Sequence, residues 1–428
     1  MERKTLVLAG GSAGTHVLAA ELGDDPAWDV RVITSRPTDW GRVRCVEHAT
    51  TSSSFPLIKV DRTETHEGTP TAFAWDDAAE ALTDADLVLI VSPASAHRDI
   101  LERLMPALPR GRALALGTAF AQGGFDWLAR SVLEAQPDAD ALRGTVTLFG
   151  LKRYPYVCKV VQYGAEVVLH GRYPKIWLAV DPASGSARAT LVDDLGRMFG
   201  QPVEELPFVS CSLNMSNQLL HPGLLWGHFH DFVPGETTYP EAPRLYGDAT
   251  AIGIAELDTI YRDLYRVVRA LEPLLGRDLW RYLGVDPMMR GMVVLRTWLF
   301  RPVEETAWYQ FLVRNVGGRT MRNHGRLREL RVPMVPAPSG EGLVPNLQHR
   351  IFQDDLADGL CVVYGLGRIA GLPMDGIGRT IRQQQRWIGK QYLDEDGFGP
   401  DLADTNAPQR YGVTTTEGLV ELLAPLRR

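Results

Sequence analysis

The stretch from Leu6 to His16 constrains this chain more than any other. A short apolar run, Leu6-Val7-Leu8-Ala9, gives way to Gly10-Gly11-Ser12-Ala13-Gly14-Thr15-His16, and Val17-Leu18-Ala19-Ala20-Glu21-Leu22 follows at helical spacing. The order is strand, tight turn, helix start. Glycines at such a turn let the backbone approach a pyrophosphate, which then sits on the free amides of the helix N-terminus. The spacing departs from a strict G-x-G-x-x-G, because Ser12 stands where the second glycine belongs. No G-K-[ST] ending follows, which disfavours a triphosphate loop. The turn predicts a dinucleotide cradle made by Gly10, Gly11, Ser12, Ala13, Gly14 and Thr15. Its bland alternative is a turn that only joins strand to helix.

The rest of the first half fits that setting. Val30–Ile33, Asp86–Val91, Arg112–Leu116 and Thr145–Phe149 read as strands, with a helix from Ala96 to Leu108. Continuous apolar strands alternating with helices predict a parallel sheet covered on both faces. Val157–Val161 and Lys175–Val180 are further β-rich pieces, and Ser184–Met198 reads as helix. From Val209 the texture is helical. One long helix is expected over Thr250–Leu275, its stripe running through Ile254, Leu257, Ile260, Leu264, Val267, Val268, Leu271 and Leu274. The Pro- and Gly-rich residues 332–346 predict a loop, and Leu356 to Gln391 a last helical block. The expected division is an α/β dinucleotide-binding domain over 1–205 and a mainly helical domain over 206–428.

The end of the second strand bears on which dinucleotide is bound. NAD sites usually place an acid there, whereas this chain has Thr34-Ser35-Arg36-Pro37, with Arg42 and Arg44 close behind. A hydroxyl and guanidinium groups suit a 2′-phosphate, so Ser35, Arg36 and Arg42 favour NADP(H) over NAD(H). Ser92, just past the third strand, joins the expected cofactor-binding set. Net charge points away from other partners. With 45 Lys+Arg against 52 Asp+Glu the chain carries −7, which disfavours non-specific nucleic-acid binding. The longest clean apolar run, Leu87–Val91, falls far short of the ~20 residues of a membrane span. Four scattered cysteines without a C-x-x-C read as free thiols. A cytoplasmic protein without membrane or nucleic-acid partners is the expectation.

Three motifs together resemble the octopine/nopaline-type opine dehydrogenases. Gly10-Gly11-Ser12-Ala13-Gly14-Thr15-His16 is similar to the G-G-G-N-G-A-H turn of that family. Asn214-Met215-Ser216-Asn217-Gln218-Leu219-Leu220-His221-Pro222 resembles its N…N…H-P signature. His349-Arg350-Ile351-Phe352-Gln353-Asp354-Asp355-Leu356 resembles its R-[YF]-x-x-[ED]-D-[VI]-P segment, with Ile369–Asp375 standing in for the turn beyond it. The likeness covers about residues 5–390. It departs at Ser12, Ala13 and Ala357. Arg36, Arg42 and the segment Leu219–Leu225 look more like the bacterial opine-metallophore branch, which would imply NADPH. That branch has an acid where this chain has Leu151-Lys152-Arg153. The resemblance implies a Rossmann domain followed by an all-helical domain, and a homodimer. The implied activity is reduction of the imine between an α-keto acid (pyruvate, 2-oxoglutarate or oxaloacetate) and an amine.

Such chemistry needs a proton carrier and cations for carboxylates. His221 suits the first role, since an imidazole trades protons near neutrality. Pro222 is expected to end or kink the helix before it. Arg350 and Lys152 suit the carboxylates, with Arg153 and Lys159 as further cations at the sheet end. Asp355 either anchors the amine or orients His221, and Asn217 is expected either to contact substrate or nicotinamide or to cap a helix. His221, His228, His230 and Asp231 cluster in sequence, His228 and His230 on a shared strand face, but H-x6-H-x-H matches no zinc spacing, so no metal is predicted. Trp226, Phe229 and Phe232 read as a cleft wall. The competing readings are a ketone reductase of the ketopantoate reductase or 3-hydroxyacid dehydrogenase type, and a non-catalytic NADP(H)-binding protein.

Overall fold

The structure is a computed structural model that describes residues 3–50, 61–181, 187–213, 217–275 and 329–423. The chain divides into two compact units that meet in sequence at Ser212 and Leu213.

The first unit is built on an eight-stranded sheet. Its strands are β1 (Lys4–Ala9), β2 (Trp28–Ile33), β5 (Thr71–Phe73), β6 (Leu87–Ile90), β7 (Leu114–Thr118), β8 (Val146–Leu151), β11 (Ile176–Val180) and β12 (Val203–Glu205). They lie in the order β12-β11-β8-β7-β6-β1-β2-β5. The run β5-β2-β1-β6-β7-β8 is parallel throughout, and β11 joins β8 antiparallel. That run is the doubly wound order of a Rossmann fold, with its switch point between β1 and β6. β6 and β7 are buried along their whole length, as strands covered on both faces must be. Helices α1 (Ala13–Leu22), α2 (Ala78–Ala81), α3 (His97–Leu104), α4 (Phe125–Glu134), α5 (Ala139–Thr145), α6 (Arg188–Phe199) and α7 (Phe208–Ser212) complete the unit.

Of a second sheet, β4-β3-β10-β9, formed by β3 (Val43–Thr50), β4 (Asp61–Gly68), β9 (Tyr156–Gln162) and β10 (Glu166–Arg172), sequence periodicity finds only β9. Val43, Cys45, Val167, Leu169 and Tyr156 from this sheet share one core with Val17 and Leu18 of α1. Under that contact Arg172 binds both Glu47, at 2.9 Å, and Glu21 of α1. β9 and β10 form a hairpin whose tip, residues 162–165, reaches the glycine turn.

The second unit is mainly helical: α8 (Asn217–Phe229), α9 (Ala251–Leu275), α10 (Arg350–Asp355), α11 (Cys361–Ile369), α12 (Asp375–Trp387) and α13 (Thr416–Leu423). The expected α9 stripe is buried except for Leu274, which lies on the exposed side. α8 and α9 approach closely at small residues: a β-carbon on Gly227 would lie 2.6 Å from the Gly253 Cα. The Pro/Gly run read as a loop contains a two-stranded hairpin, β13 (Met334–Pro336) with β14 (Leu343–Pro345). Between α10 and α11 the chain takes one π-helical stretch, Leu356–Leu360. Phe229 and Phe232 are buried in an aromatic core with Tyr239, Phe352 and Trp387, so they are not a cleft wall. No helix among the described residues is long and apolar enough to cross a membrane.

Candidate active site

The candidate residues fall into two clusters, one in each unit. In the first, Gly10 leaves β1 with φ +109°, a backbone that L side chains rarely adopt. A β-carbon there would also lie 2.3 Å from the Ser92 Oγ, so the turn closes directly on the end of β6 at the switch point. Ser92 is itself set from below: the buried His97 donates from Nε2 to the Ser92 carbonyl at 3.1 Å. Thr15 donates to the Gly10 carbonyl at 2.6 Å and locks the turn onto the first turn of α1. Ser12 caps α1 with extended backbone and no side-chain capping bond, and no acid occupies the first helical turn. Helix-start amides, a Ser12 hydroxyl that makes no capping bond and a first turn without an acid fit an anionic phosphate. The space beside Gly11 and Gly14 is taken by hydroxyls of this chain, those of Tyr163 and Tyr154.

His16 ends the motif as a structural group. It donates from Nδ1 to the Ser12 carbonyl at 2.8 Å, and its Nε2 accepts from the Gly164 amide at 2.7 Å. Both contacts suit the neutral ring, and burial holds its pKa below the usual histidine range.

At the end of β2, Ser35 and Arg36 are exposed. Arg36 lies over the Tyr163 ring, 3.6 Å from its centroid, and 3.5 Å from the Asp39 carboxylate. Arg42 is turned elsewhere, toward Glu67 at 2.9 Å and Asp24 at 3.4 Å, which competes with any phosphate role. Lys152 follows β8 and is buried, its Nζ 5.1 Å from the Trp177 centroid. Arg153 stacks between Tyr173 and Trp177, at 3.8 and 4.3 Å. Lys159 was expected at the sheet end, but it lies within β9 of the second sheet and is exposed. The alternation of that edge strand puts Lys159 on its outer face, beside the exposed Val157 and Val161.

In the second unit, His221 sits in the middle of α8. Its Nδ1 lies 2.7 Å from the Asp355 Oδ2, and its Nε2 3.1 Å from the Tyr246 hydroxyl. The side chains of His221 and Asp355 are each 12% exposed. Burial and the nearby Asp355 push the Tyr246 hydroxyl up to about 12, so it keeps its proton and donates to Nε2. With Nδ1–H bonded to the carboxylate, the imidazole is held in one tautomer. Tyr246 has no sequence signal of its own: it lies in a polar connecting segment, well after the His-Pro pair. Pro222, expected to end or kink the helix, lies inside it. α8 continues through it to Phe229, and the buried Gln384 donates to the Pro222 carbonyl at 2.6 Å.

Asn217 is the first residue of α8, exposed and one turn before His221, while Asn214, Met215 and Ser216 lie outside the described residues. Arg350 opens α10, exposed and with no carboxylate partner among the described residues. Asp355 closes the same helix. His228 and His230 share no strand face: His228 is in the last turn of α8, its Nε2 3.1 Å from the Leu245 carbonyl, and His230 lies exposed beyond it. Among the described residues the one group spaced to hold a metal is Glu21, Glu47 and His66, and its two carboxylates are already bound by Arg172.

No family model matches the chain. Tauropine dehydrogenase of Arabella iricolor is 26% identical over 430 residues, 97% of this chain and 99% of the relative. A solved structure of octopine dehydrogenase with NADH and L-arginine superposes with a TM-score of 0.75 at 20% identity, over 97% of this chain and 98% of the other. Yersinopine dehydrogenase bound to NADP+ gives 0.63 at 16% identity, covering 98% of each chain.

Proposed function

We propose that this chain, a member of the opine dehydrogenase family, uses NADP(H) to join an α-keto acid to an amine by reducing their imine. The observation that carries the reading is the imidazole of His221 held between Asp355 and Tyr246. Full-length likeness to dehydrogenases, and a switch-point turn with free amides, support a nicotinamide dinucleotide in the first unit. Gly10, Ser12, Ala13 and Ser92 would hold its pyrophosphate and nearby ribose, and Arg36 its 2′-phosphate. When bound, it supplies the hydride.

The protein's part is the proton traffic. Condensing a keto acid with an ammonium group and adding hydride consumes one proton and releases one water. The Nε2 of His221 is where that proton is held and passed: Asp355 stabilises the imidazolium that forms, and Tyr246 fixes the ring edge. Of the two roles open to Asp355, orienting His221 is the one its geometry supports. Arg350, with no carboxylate partner among the described residues, offers a guanidinium fork for the keto-acid carboxylate.

The test follows nicotinamide absorbance with NADPH or NADH, each of pyruvate, 2-oxoglutarate and oxaloacetate, and a pool of amines. Metallophore precursors belong in that pool because Arg36 and Leu219–Leu225 resemble the metallophore branch. Oxidation that requires both keto acid and amine is expected. Oxidation with keto acid alone would make the protein a ketone reductase.

A further inference from the structure

The loop after β2 is gripped by a segment far along the chain. Tyr163 and Gly164 form the tip of the β9–β10 hairpin, and four contacts bind that tip to the glycine turn and to residues 34–40. The Tyr163 hydroxyl lies 2.6 Å from the Thr34 Oγ1. The Gly164 amide donates to His16 at 2.7 Å. Gly164 has φ +71°, and a β-carbon on it would lie 2.1 Å from the Asp39 carbonyl, so only glycine seats the tip this closely. The Arg36 guanidinium carbon lies 3.6 Å from the centre of the Tyr163 ring.

We propose that Tyr163 is a specificity-determining residue for the cofactor, setting the preference for a 2′-phosphate by holding Arg36 over its ring at the end of β2. The inference rests on the NADP(H) reading above. A free surface arginine loses much rotamer freedom when it grips a phosphate, whereas one already stacked has lost it beforehand. A guanidinium held through the ring face also spends none of its N–H donors on the contact. The Arg36 side chain is 54% exposed, so those donors remain within reach of an incoming anion. Asp39, 3.5 Å from Nε, restrains the other side of the group. Tyr163 touches the cofactor's selector and is a positioning residue, with no part in the proton chemistry.

The experiment titrates NADPH and NADH separately by nicotinamide fluorescence against the wild-type chain, Arg36→Ala, Tyr163→Leu and Tyr163→Phe. Leucine keeps an apolar body but has no ring face; phenylalanine keeps the ring and loses only the bond to Thr34. Arg36→Ala is expected to abolish the preference for NADPH. Tyr163→Leu is expected to weaken NADPH about three- to fivefold, the scale of a partly exposed cation–π contact, while NADH stays within about twofold. Tyr163→Phe should stay close to wild type for both. Equal weakening of both nucleotides by Tyr163→Leu would overturn the proposal and make Tyr163 a packing residue. If Arg36→Ala shifts the preference and Tyr163→Leu does not, the inference alone fails. If Arg36→Ala leaves the preference unchanged, the 2′-phosphate reading fails first and takes the inference with it. NADH affinity and the unfolding midpoint show that each variant is folded.

Discussion

Asp355 and His221 are 134 residues apart in the chain, yet the carboxylate lies 2.7 Å from the imidazole Nδ1. One stands at the end of α10, where the chain turns π-helical, and the other in the middle of α8. Tyr246 approaches the opposite ring edge at 3.1 Å. A histidine bonded at both nitrogens, by a carboxylate and by a phenol that keeps its proton, has its ring orientation and tautomer fixed.

Removing members of this set should therefore separate chemistry from cofactor binding. His221→Ala is expected to lower kcat by about 10²–10⁴, the usual worth of a general acid–base group, with NADPH affinity nearly unchanged. Asp355→Asn should lower kcat while leaving the fold intact, because the amide cannot stabilise an imidazolium. Tyr246→Phe should cost about tenfold, the scale of one hydrogen bond. The Tyr246 hydroxyl is pushed up to about 12, so any alkaline limb below pH 10 belongs to another group and should survive in Tyr246→Phe. Steady-state kinetics across pH read all three; full turnover by His221→Ala would remove it from the mechanism.

The distance between α8 and the π-helical stretch is set by Gly359. A β-carbon there would come 2.5 Å from the Gln218 Cβ, close to the backbone, where no side-chain rotation can relieve it. Gly359→Ala must push the stretch that follows Asp355 away from the helix that carries His221. A loss of about 1–3 kcal/mol in stability is expected, typical of overpacking, together with a fall in kcat larger than any change in cofactor Kd. Gly397→Ala, where an added methyl meets nothing within 4 Å, is the control. If the two variants have equal kcat, the packing at Gly359 does not position the pair.

Much of this was legible in the sequence, for identifiable reasons. β1, β6 and α9 carry unbroken apolar periodicity, and their burial follows it. The His-Pro pair and the Arg350–Asp355 segment were visible as motifs, although only the folded chain brings Asp355 onto His221. Of the second sheet only β9 was legible. β4 reads Asp-Arg-Thr-Glu-Thr-His-Glu-Gly, and it is held by its pairing with β3 rather than by an apolar face of its own. Tyr246 and Tyr163 were hidden for a related reason: each acts from a connecting segment, where no periodicity marks which side chain faces inward. Arg42 shows the converse, since position along the chain suggests a phosphate ligand, whereas tertiary structure places two carboxylates beside it.

His97 gives a prediction about acid stability that is independent of catalysis. It is buried below the end of β6, and burial pulls its pKa down to about 4 from the usual histidine value of about 6.5. Between those values the unfolded chain holds a proton that the folded chain lacks, so stability contributed by the neutral ring is present above about pH 6.5 and is lost as pH falls toward 4. Asp126, pushed up to about 6 by burial, works in the opposite sense, since the folded chain keeps its proton as pH rises past the unfolded value. Comparing the wild-type chain with His97→Gln cancels that term, because Asp126 is common to both. Glutamine can still donate to the Ser92 carbonyl but does not titrate. Denaturant unfolding at pH 7 and pH 4.5 should show the wild-type chain losing about 2–3 kcal/mol more than His97→Gln over that interval. Parallel losses in the two proteins would mean that His97 already carries its proton in the folded state at pH 4.5.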